Sequence, residues 1–416
     1  MSRPIRFGTD GVRGPFGRFP IDPDGAAAIG RGLAAWIGGP GAAVVIGRDT
    51  RESGSVLEAA VVDGLTAGGV HARCAGVLPT AAVSALVAAT DAAAGVMITA
   101  SHNPWVDNGL KIVGPDGTKP TETAALEAAF AGAASPGGGR RSAVSDPAAP
   151  WRAAMPAVDL GGTTVLLDAA HGAAAAHAPA LLEARGARVL KRGCAPDGRN
   201  INDGVGALHP PTADEVLEAG ADLAICLDGD ADRVLLVSPE HGLFDGDDML
   251  WLFSRGVEGP LVGTVMSNGG LEAALGGRLL RSGVGDQKVA ALMRQSGARA
   301  GAEPSGHVLF TDGLPTGDGL FAALRILQVL GPRPRLPAPG WTRWPQVQRA
   351  VRFEGEKQPL ETIQSIELAR QAGLRLVVRY SGTEPKLRIL VEGPDEAAAV
   401  AHAAAIRAEA TAVLTA

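Results

Sequence analysis

Residues 223–237 read Leu223-Ala-Ile-Cys-Leu-Asp228-Gly-Asp230-Ala-Asp232-Arg233-Val-Leu-Leu-Val237, two short apolar runs joined by a loop that carries three carboxylates. Apolar runs of this length bounded by Gly, Asp or Pro are the pattern of buried strands. The carboxylates fall within five residues and repel one another unless a cation neutralises them. An EF-hand is disfavoured, because its sixth position requires Gly and holds Arg233, and its twelfth requires Glu and holds Pro239. Mg²⁺ held by a few protein oxygens, with phosphate oxygens completing its octahedron, fits the loop better.

Outward from this stretch, further strand-like runs occur at Ala43–Ile46, Gly95–Thr99 and Thr164–Leu167. Between them lie Ala- and Leu-rich stretches of helical length, Val56–Ala67, Ala81–Ala89, Ala178–Arg185 and Leu320–Leu330. Such alternation predicts α/β layers. At roughly 100 to 200 residues per domain, 416 residues predict two to four domains. Gly132–Pro150, rich in Gly, Pro, Ser and Ala, and Gly331–Pro345, with four prolines before Pro345, read as joints. The long middle repeats the alternation on either side of Asp245–Asp248 and is expected to hold two domains. Alanine and glycine dominate a 46% hydrophobic composition, so finely packed, aromatic-poor cores are expected.

A net charge of −6 argues against a nucleic-acid surface. Cys74, Cys194 and Cys226 form no CxxC pair, which suggests neither a zinc site nor a disulfide framework. Met1–Arg6 lacks the apolar stretch of a signal peptide, and no run of about 18 apolar residues is found. A cytoplasmic protein without a membrane or nucleic-acid partner is expected.

Three more constellations carry chemistry. Thr99-Ala100-Ser101-His102-Asn103-Pro104 follows a strand-like run, where open α/β sheets place ligands, and Lys111 lies ten residues beyond Ser101. A hydroxyl, an imidazole and a cation supply a nucleophile, a proton carrier and a phosphate partner, although the same residues favour an ordinary turn. Glu303-Pro304-Ser305-Gly306-His307 sets a carboxylate and a hydroxyl two residues apart in a Gly-containing loop, suited to sugar hydroxyls or to a plain turn. Arg379-Tyr380-Ser381-Gly382-Thr383-Glu384-Pro385-Lys386-Leu387-Arg388 combines a possible anion nest with two forked guanidinium donors. Ser381 and Glu384 have capping-box spacing, but Leu387–Val391 reads as a strand, which favours the nest.

Taken in chain order, these loops resemble those of the α-D-phosphohexomutase superfamily, most closely its bacterial phosphoglucosamine mutase branch. The resemblance adds Phe7–Gly14, Gly47-Arg48-Asp49-Thr50-Arg51, Pro196–Asn202 and Thr316–Gly319, and runs over essentially the whole chain. It implies an α/β fold of four domains around a central cleft, three related α/β domains plus a smaller C-terminal α+β domain. The expected bounds are 1–145 for the phosphoserine-bearing domain, 155–244 for the metal loop, 245–331 for sugar binding and 346–416 for phosphate binding. By the resemblance, Ser101 is the phosphoserine and, with Asp228, Asp230 and Asp232, holds one Mg²⁺. Arg13, His102 and Lys111 serve the same centre. Glu303, Ser305 and His307 contact the sugar, while Arg379, Ser381, Gly382, Thr383 and Arg388 hold the non-reacting phosphate.

The implied activity interconverts glucosamine 6-phosphate and glucosamine 1-phosphate through glucosamine 1,6-bisphosphate, feeding amino-sugar nucleotide synthesis, in a monomer or homodimer. The alternatives are the phosphomannomutase/phosphoglucomutase branch, a sugar phosphatase and a non-catalytic sugar-phosphate binder. A haloacid-dehalogenase-like phosphatase would carry Thr or Val where Asp232 stands. Departures from the branch are Pro304 in place of Gln, Gly285-Asp286-Gln287-Lys288 in place of Gly-Asp-Arg-Tyr, and Ala81 in place of Pro.

Overall fold

Each apolar run becomes a strand, and the strands assemble into four successive sheets in a computed structural model that describes residues 4–8, 11–120, 123–130, 137–354, 357–381 and 385–415. The first sheet holds β1 (Val12–Pro15), β2 (Ala43–Arg48), β3 (His71–Val77), β4 (Ala94–Ile98), β5 (Asp107–Val113) and β6 (Arg141–Ala143), in the order β1-β5-β4-β2-β3-β6. β2 pairs in parallel with β3 and β4, whereas β5 runs antiparallel to both β4 and β1. Every residue of β4 is buried, as expected of a strand covered on both faces.

Small residues set the packing here. The helices Pro23–Trp36 and Gly54–Ala67 touch backbone to backbone: a Cβ on Gly64 would stand 2.3 Å from the Ala27 carbonyl oxygen, and one on Gly30 would stand 2.5 Å from that of Val61. The glycine-rich composition therefore packs helices closely rather than loosening the chain.

The second sheet, in the order β11-β10-β9-β7-β8, comprises β7 (Thr164–Asp168), β8 (Arg188–Arg192), β9 (Leu223–Leu227), β10 (Val234–Ser238) and β11 (Gly242–Phe244). The third, β13-β12-β14-β15, comprises β12 (Leu261–Thr264), β13 (Leu279–Ser282), β14 (Ala300–Ala302) and β15 (Val308–Phe310). The tail sheet is antiparallel, with β18 (Lys386–Glu392) between β16 (Gln346–Arg352) and β17 (Arg375–Tyr380). The helix Glu396–Thr415 packs one face onto this sheet, with Ala399, Ala403, Ile406, Ala410 and Leu414 buried among its apolar side chains and the opposite face exposed. It is long and apolar enough to cross a membrane by composition, but a single buried stripe at helical spacing also marks an ordinary surface helix of a globular unit.

The two expected joints differ. Gly331–Pro345 is irregular, as its prolines dictate. Gly132–Pro150 is not simply a joint: Arg141–Ala143 adds an edge strand parallel to β3, and the helix Ala149–Ala154 begins before the stretch ends. Trp151 on that helix is fully buried, and its Nε1 donates to Asp318 Oδ2 at 2.6 Å. Asp318 in turn caps the helix Gly319–Leu330 by accepting from Phe321 N. One apolar core runs from the helix Thr80–Ala88 through Trp151 and the second sheet to Gly319–Leu330, so the first three units share it. The tail has its own core.

The Trp151 bond gives a stability prediction. Burial raises the Asp318 carboxyl to about 6, despite opposing bonds from Phe321 N–H and the Trp151 indole. Trp151→Phe removes one bond that favours the ionised form and lifts this value further. Its stability deficit should be about 1–3 kcal/mol and should grow as pH rises, because the unfolded chain ionises above its ordinary 3.8 while the folded variant resists. Urea unfolding at pH 5 and pH 8 checks this; a deficit equal at both would assign the cost to lost packing alone.

Candidate active site

Ser101 sits in the turn between β4 and β5, with 1% of its surface exposed. Its N–H donates to Thr99 Oγ1 at 2.8 Å, and its Oγ donates to Asp228 Oδ2 at 2.8 Å, across 127 residues of sequence. His102 Nδ1 is 3.4 Å from the same Oγ. Burial, followed by the charges of Arg233 and Arg13, pushes the His102 imidazole down to about 4, which leaves it neutral at physiological pH.

Asp228, Asp230 and Asp232 are all buried, and one carboxylate oxygen from each can be chosen so that all three lie within 4.8 Å of one another. The strands β9 and β10 present them because the loop between those strands turns tightly, with Ala231 at φ +59° and Asp228 Oδ1 accepting from Arg233 N at 3.2 Å. Gly229 permits the close approach to the serine, since a Cβ there would stand 2.6 Å from the Ser101 carbonyl oxygen. Lys111 Nζ bridges Asp230 Oδ2 at 2.7 Å and Asp232 Oδ2 at 2.8 Å, and Thr80 Oγ1 donates to Asp230. Lys111 thus ties the serine-bearing unit to the acidic loop.

The charges remain unbalanced around Asp228. Burial and then the neighbouring Asp232 and Asp230 push its carboxyl up to about 8. Burial would also raise Asp232, but Lys111, His307 and Arg233 overcome it and hold that group well below the usual carboxylate range. Asp230 Oδ1 and Asp232 Oδ1 are buried with no hydrogen-bond partner. Two buried hard oxygens that accept no hydrogen bond, beside a carboxyl that resists ionisation, are what a divalent cation would satisfy, so the triad fits Mg²⁺.

The loop Glu303–His307 closes the β14–β15 hairpin and rests on this centre: Val234 N donates to the Gly306 carbonyl at 2.9 Å. Glu303 is half-buried, its Oε2 accepting from Gly285 N at 3.1 Å, and Ser305 is exposed. His307 is buried, with Nδ1 3.8 Å from Asp232 Oδ1 and Nε2 3.6 Å from Asp286 Oδ2. Burial alone would lower its imidazole, but the nearby carboxylates of Asp232 and Asp286 raise it. In the tail, Arg379 and Arg388 are register partners on β17 and β18, and Ser381 N donates to the Lys386 carbonyl at 2.8 Å. Gly382 and Thr383 lie outside the described residues.

The four units match the four phosphoglucomutase/phosphomannomutase domain models in order: alpha/beta/alpha domain I at residues 4–135, domain II at 152–242, domain III at 245–337 and the C-terminal domain at 348–409. The chain belongs to the phosphoglucomutase/phosphomannomutase family. It is accordingly a phosphohexomutase, an enzyme of the isomerase class. A phosphoglucosamine mutase of Cereibacter sphaeroides is 41% identical over 95% of this chain and 96% of its own length. Among solved structures, a phosphoglucomutase/phosphomannomutase family protein from Burkholderia thailandensis superposes with a TM-score of 0.78 at 23% identity, covering 97% of each chain. The N-acetylphosphoglucosamine mutase of Aspergillus fumigatus, solved with GlcNAc-6P and magnesium, gives a TM-score of 0.60 at 18% identity over 88% of this chain and 82% of its own.

The structure of this phosphohexomutase brings Ser101, His102, Lys111, Asp228, Asp230, Asp232 and His307 into one connected cluster. It also recruits residues to which the sequence reading gave no role. Arg51, 1% exposed, donates to the carbonyls of Ser101, Asn103, Pro104 and Asp107, and its Nε pairs with Asp49 Oδ2 at 2.8 Å. Asp49 also accepts from Thr99 Oγ1 at 2.7 Å, so one buried guanidinium and one carboxylate shape the whole serine loop. Lys119 pairs with Asp286 at 2.6 Å and joins the first unit to the third beside a cavity of about 720 Å³ that also meets Gln287, Arg294 and Thr316. The Gly47–Arg51 motif was the signal available for Arg51; the Lys119 pair, 167 residues apart, offered none.

Proposed function

We propose that the enzyme interconverts glucosamine 6-phosphate and glucosamine 1-phosphate by way of a phosphorylated Ser101 and glucosamine 1,6-bisphosphate. The observation that carries this reading is the buried Ser101 hydroxyl bonded to Asp228 inside the acidic triad. The glucosamine branch is supported by phosphoglucosamine mutases at about 40% identity over nearly the full chain. The product would feed amino-sugar nucleotide synthesis.

Phosphoryl transfer leaves little covalent work to the protein, so position and charge dominate. Phosphorylated Ser101 gives its phosphoryl group to O1 of glucosamine 6-phosphate; the bisphosphate turns in the cleft, and its 6-phosphoryl group returns to Ser101. Ser101, Asp228, Asp230 and Asp232 would hold Mg²⁺, which when bound offsets the negative charge on the phosphoryl and serine oxygens. Lys111 keeps Asp230 and Asp232 in register, and Arg13 adds positive charge near the serine. Neutral His102, beside Oγ, is placed to exchange a proton there. Glu303, Ser305 and His307 orient the sugar. Arg379, Ser381, Gly382, Thr383 and Arg388 hold the phosphate that is not reacting, whichever end of the sugar carries it.

Glucosamine, glucose and mannose 6-phosphates differ at C2, so discrimination rests on contacts around one carbon. A single group in such a pocket is worth about 10- to 200-fold. Parallel assays primed with each 1,6-bisphosphate should give a kcat/KM for glucosamine 6-phosphate higher by a factor in that range, with side activity on glucose phosphate. A preference for mannose or glucose phosphate would reassign the substrate and leave the Ser101 chemistry standing.

A further inference from the structure

Ser101 lies in the left-handed region, with φ +52°. A residue with a Cβ holds that conformation only where its surroundings over-determine it. Two donors converge on its carbonyl oxygen: an Arg51 guanidinium nitrogen at 3.0 Å and Asn202 Nδ2 at 2.9 Å. Both also reach the Asn103 carbonyl, at 2.8 Å and 3.2 Å respectively. Arg51 belongs to the same unit as the serine. Asn202 comes from the second unit, at the end of the Pro196–Asn202 motif, to which the chemistry above gives no task.

Asn202 is itself held firmly. It is 6% exposed, its backbone has φ +60°, and its N–H donates to the Ala170 carbonyl at 2.9 Å. A Cβ on Gly229, the residue after Asp228, would stand 2.9 Å from Asn202 Nδ2. The side-chain amide therefore sits where the serine loop meets the acidic loop, with its donor nitrogen turned to the former.

We propose that Asn202 is a positioning residue for phosphoryl transfer: its amide fixes the Ser101 and Asn103 carbonyls from the second unit and so aims the Ser101 hydroxyl at Asp228. The proposal rests on Ser101 being the phosphoryl carrier. Misplacing a reacting group by about 1 Å can cost about 100-fold in rate. Loss of this amide should therefore act on kcat, while substrate affinity, which resides in the third and fourth units, is retained.

Two variants of the full-length enzyme separate positioning from folding. Asn202→Gly removes the amide while tolerating the positive φ; Asn202→Asp keeps the shape but sets a carboxylate oxygen against two carbonyl oxygens. In Asn202→Gly, kcat and the single-turnover rate of Ser101 phosphorylation by glucosamine 1,6-bisphosphate, followed by intact mass, should fall about 10- to 100-fold. KM should stay within about threefold, and the midpoint of thermal unfolding within about 4 °C. Asn202→Asp should lose more of both rates. Wild-type rates in Asn202→Gly, a raised KM at unchanged kcat, or rate losses that only follow the folded fraction would each overturn the proposal. A wild-type enzyme that takes no phosphate on Ser101 would remove its premise, and that result is read from the unmutated protein alone.

Discussion

Ser101→Ala is expected to lose mutase turnover by roughly 10⁴-fold or more, the scale at which enzymes fail when their covalent nucleophile is removed. The loss should not be a folding defect. Ser101 Oγ donates one hydrogen bond, to Asp228, while the loop itself is shaped by Arg51, Asp49 and Thr99 through backbone carbonyls and the Ser101 N–H, none of which the substitution touches. Binding of the sugar phosphate, which we propose for other units, should persist. Steady-state assays alongside calorimetric titration with glucosamine 6-phosphate separate the two effects. Turnover comparable with the wild type would show that another group carries the phosphoryl, and lost binding would place the serine loop in ground-state recognition.

Removing the divalent cation is expected to be nearly as severe. Lewis-acid stabilisation of a transferring phosphoryl group is worth several kcal/mol, or roughly 10³-fold. The acidic loop supplies its own control. Buried oxygens on Asp230 and Asp232 that accept no hydrogen bond, and a carboxyl on Asp228 that burial and like charge push up to about 8, mean that the triad gains from a cation even without substrate. Adding Mg²⁺ to chelator-treated enzyme should therefore raise the unfolding midpoint by mass action as well as restore turnover. Asp228→Asn should blunt both responses. Undiminished activity in chelator, or a midpoint indifferent to Mg²⁺ in the wild type, would contradict the assignment of the triad.

Legibility in the sequence followed the range of the interaction. The loop 228–233 was readable because its three carboxylates are local and the strands on either side are uninterrupted apolar runs. Edge strands were not: β8 is Arg-Val-Leu-Lys-Arg and β6 is Arg-Ser-Ala, held by pairing with an inner neighbour rather than by burial of their own side chains. β6 and Trp151 together explain why a Gly- and Pro-rich stretch that looked like a joint is partly structure. Within the site, residue types were legible and partnerships were not. Lys111 suggested itself as a phosphate ligand, yet it is buried between Asp230 and Asp232. The bonds from Ser101 to Asp228 and from Asn202 to Ser101 span 127 and 101 residues, beyond anything local spacing can encode.

Whether Ser101 shuttles the phosphoryl group is decided by phosphopeptide mapping across a single exchange. Enzyme incubated with radiolabelled glucosamine 1,6-bisphosphate and Mg²⁺ should yield one phosphorylated peptide, with the phosphate on Ser101. A chase of unlabelled glucosamine 6-phosphate should then discharge that phosphate into bisphosphate rather than into free phosphate, at a rate no slower than turnover. Phosphate on another residue, or a Ser101 phosphate that stays in place while the sugar phosphates interconvert, would rule out Ser101 as the phosphoryl carrier.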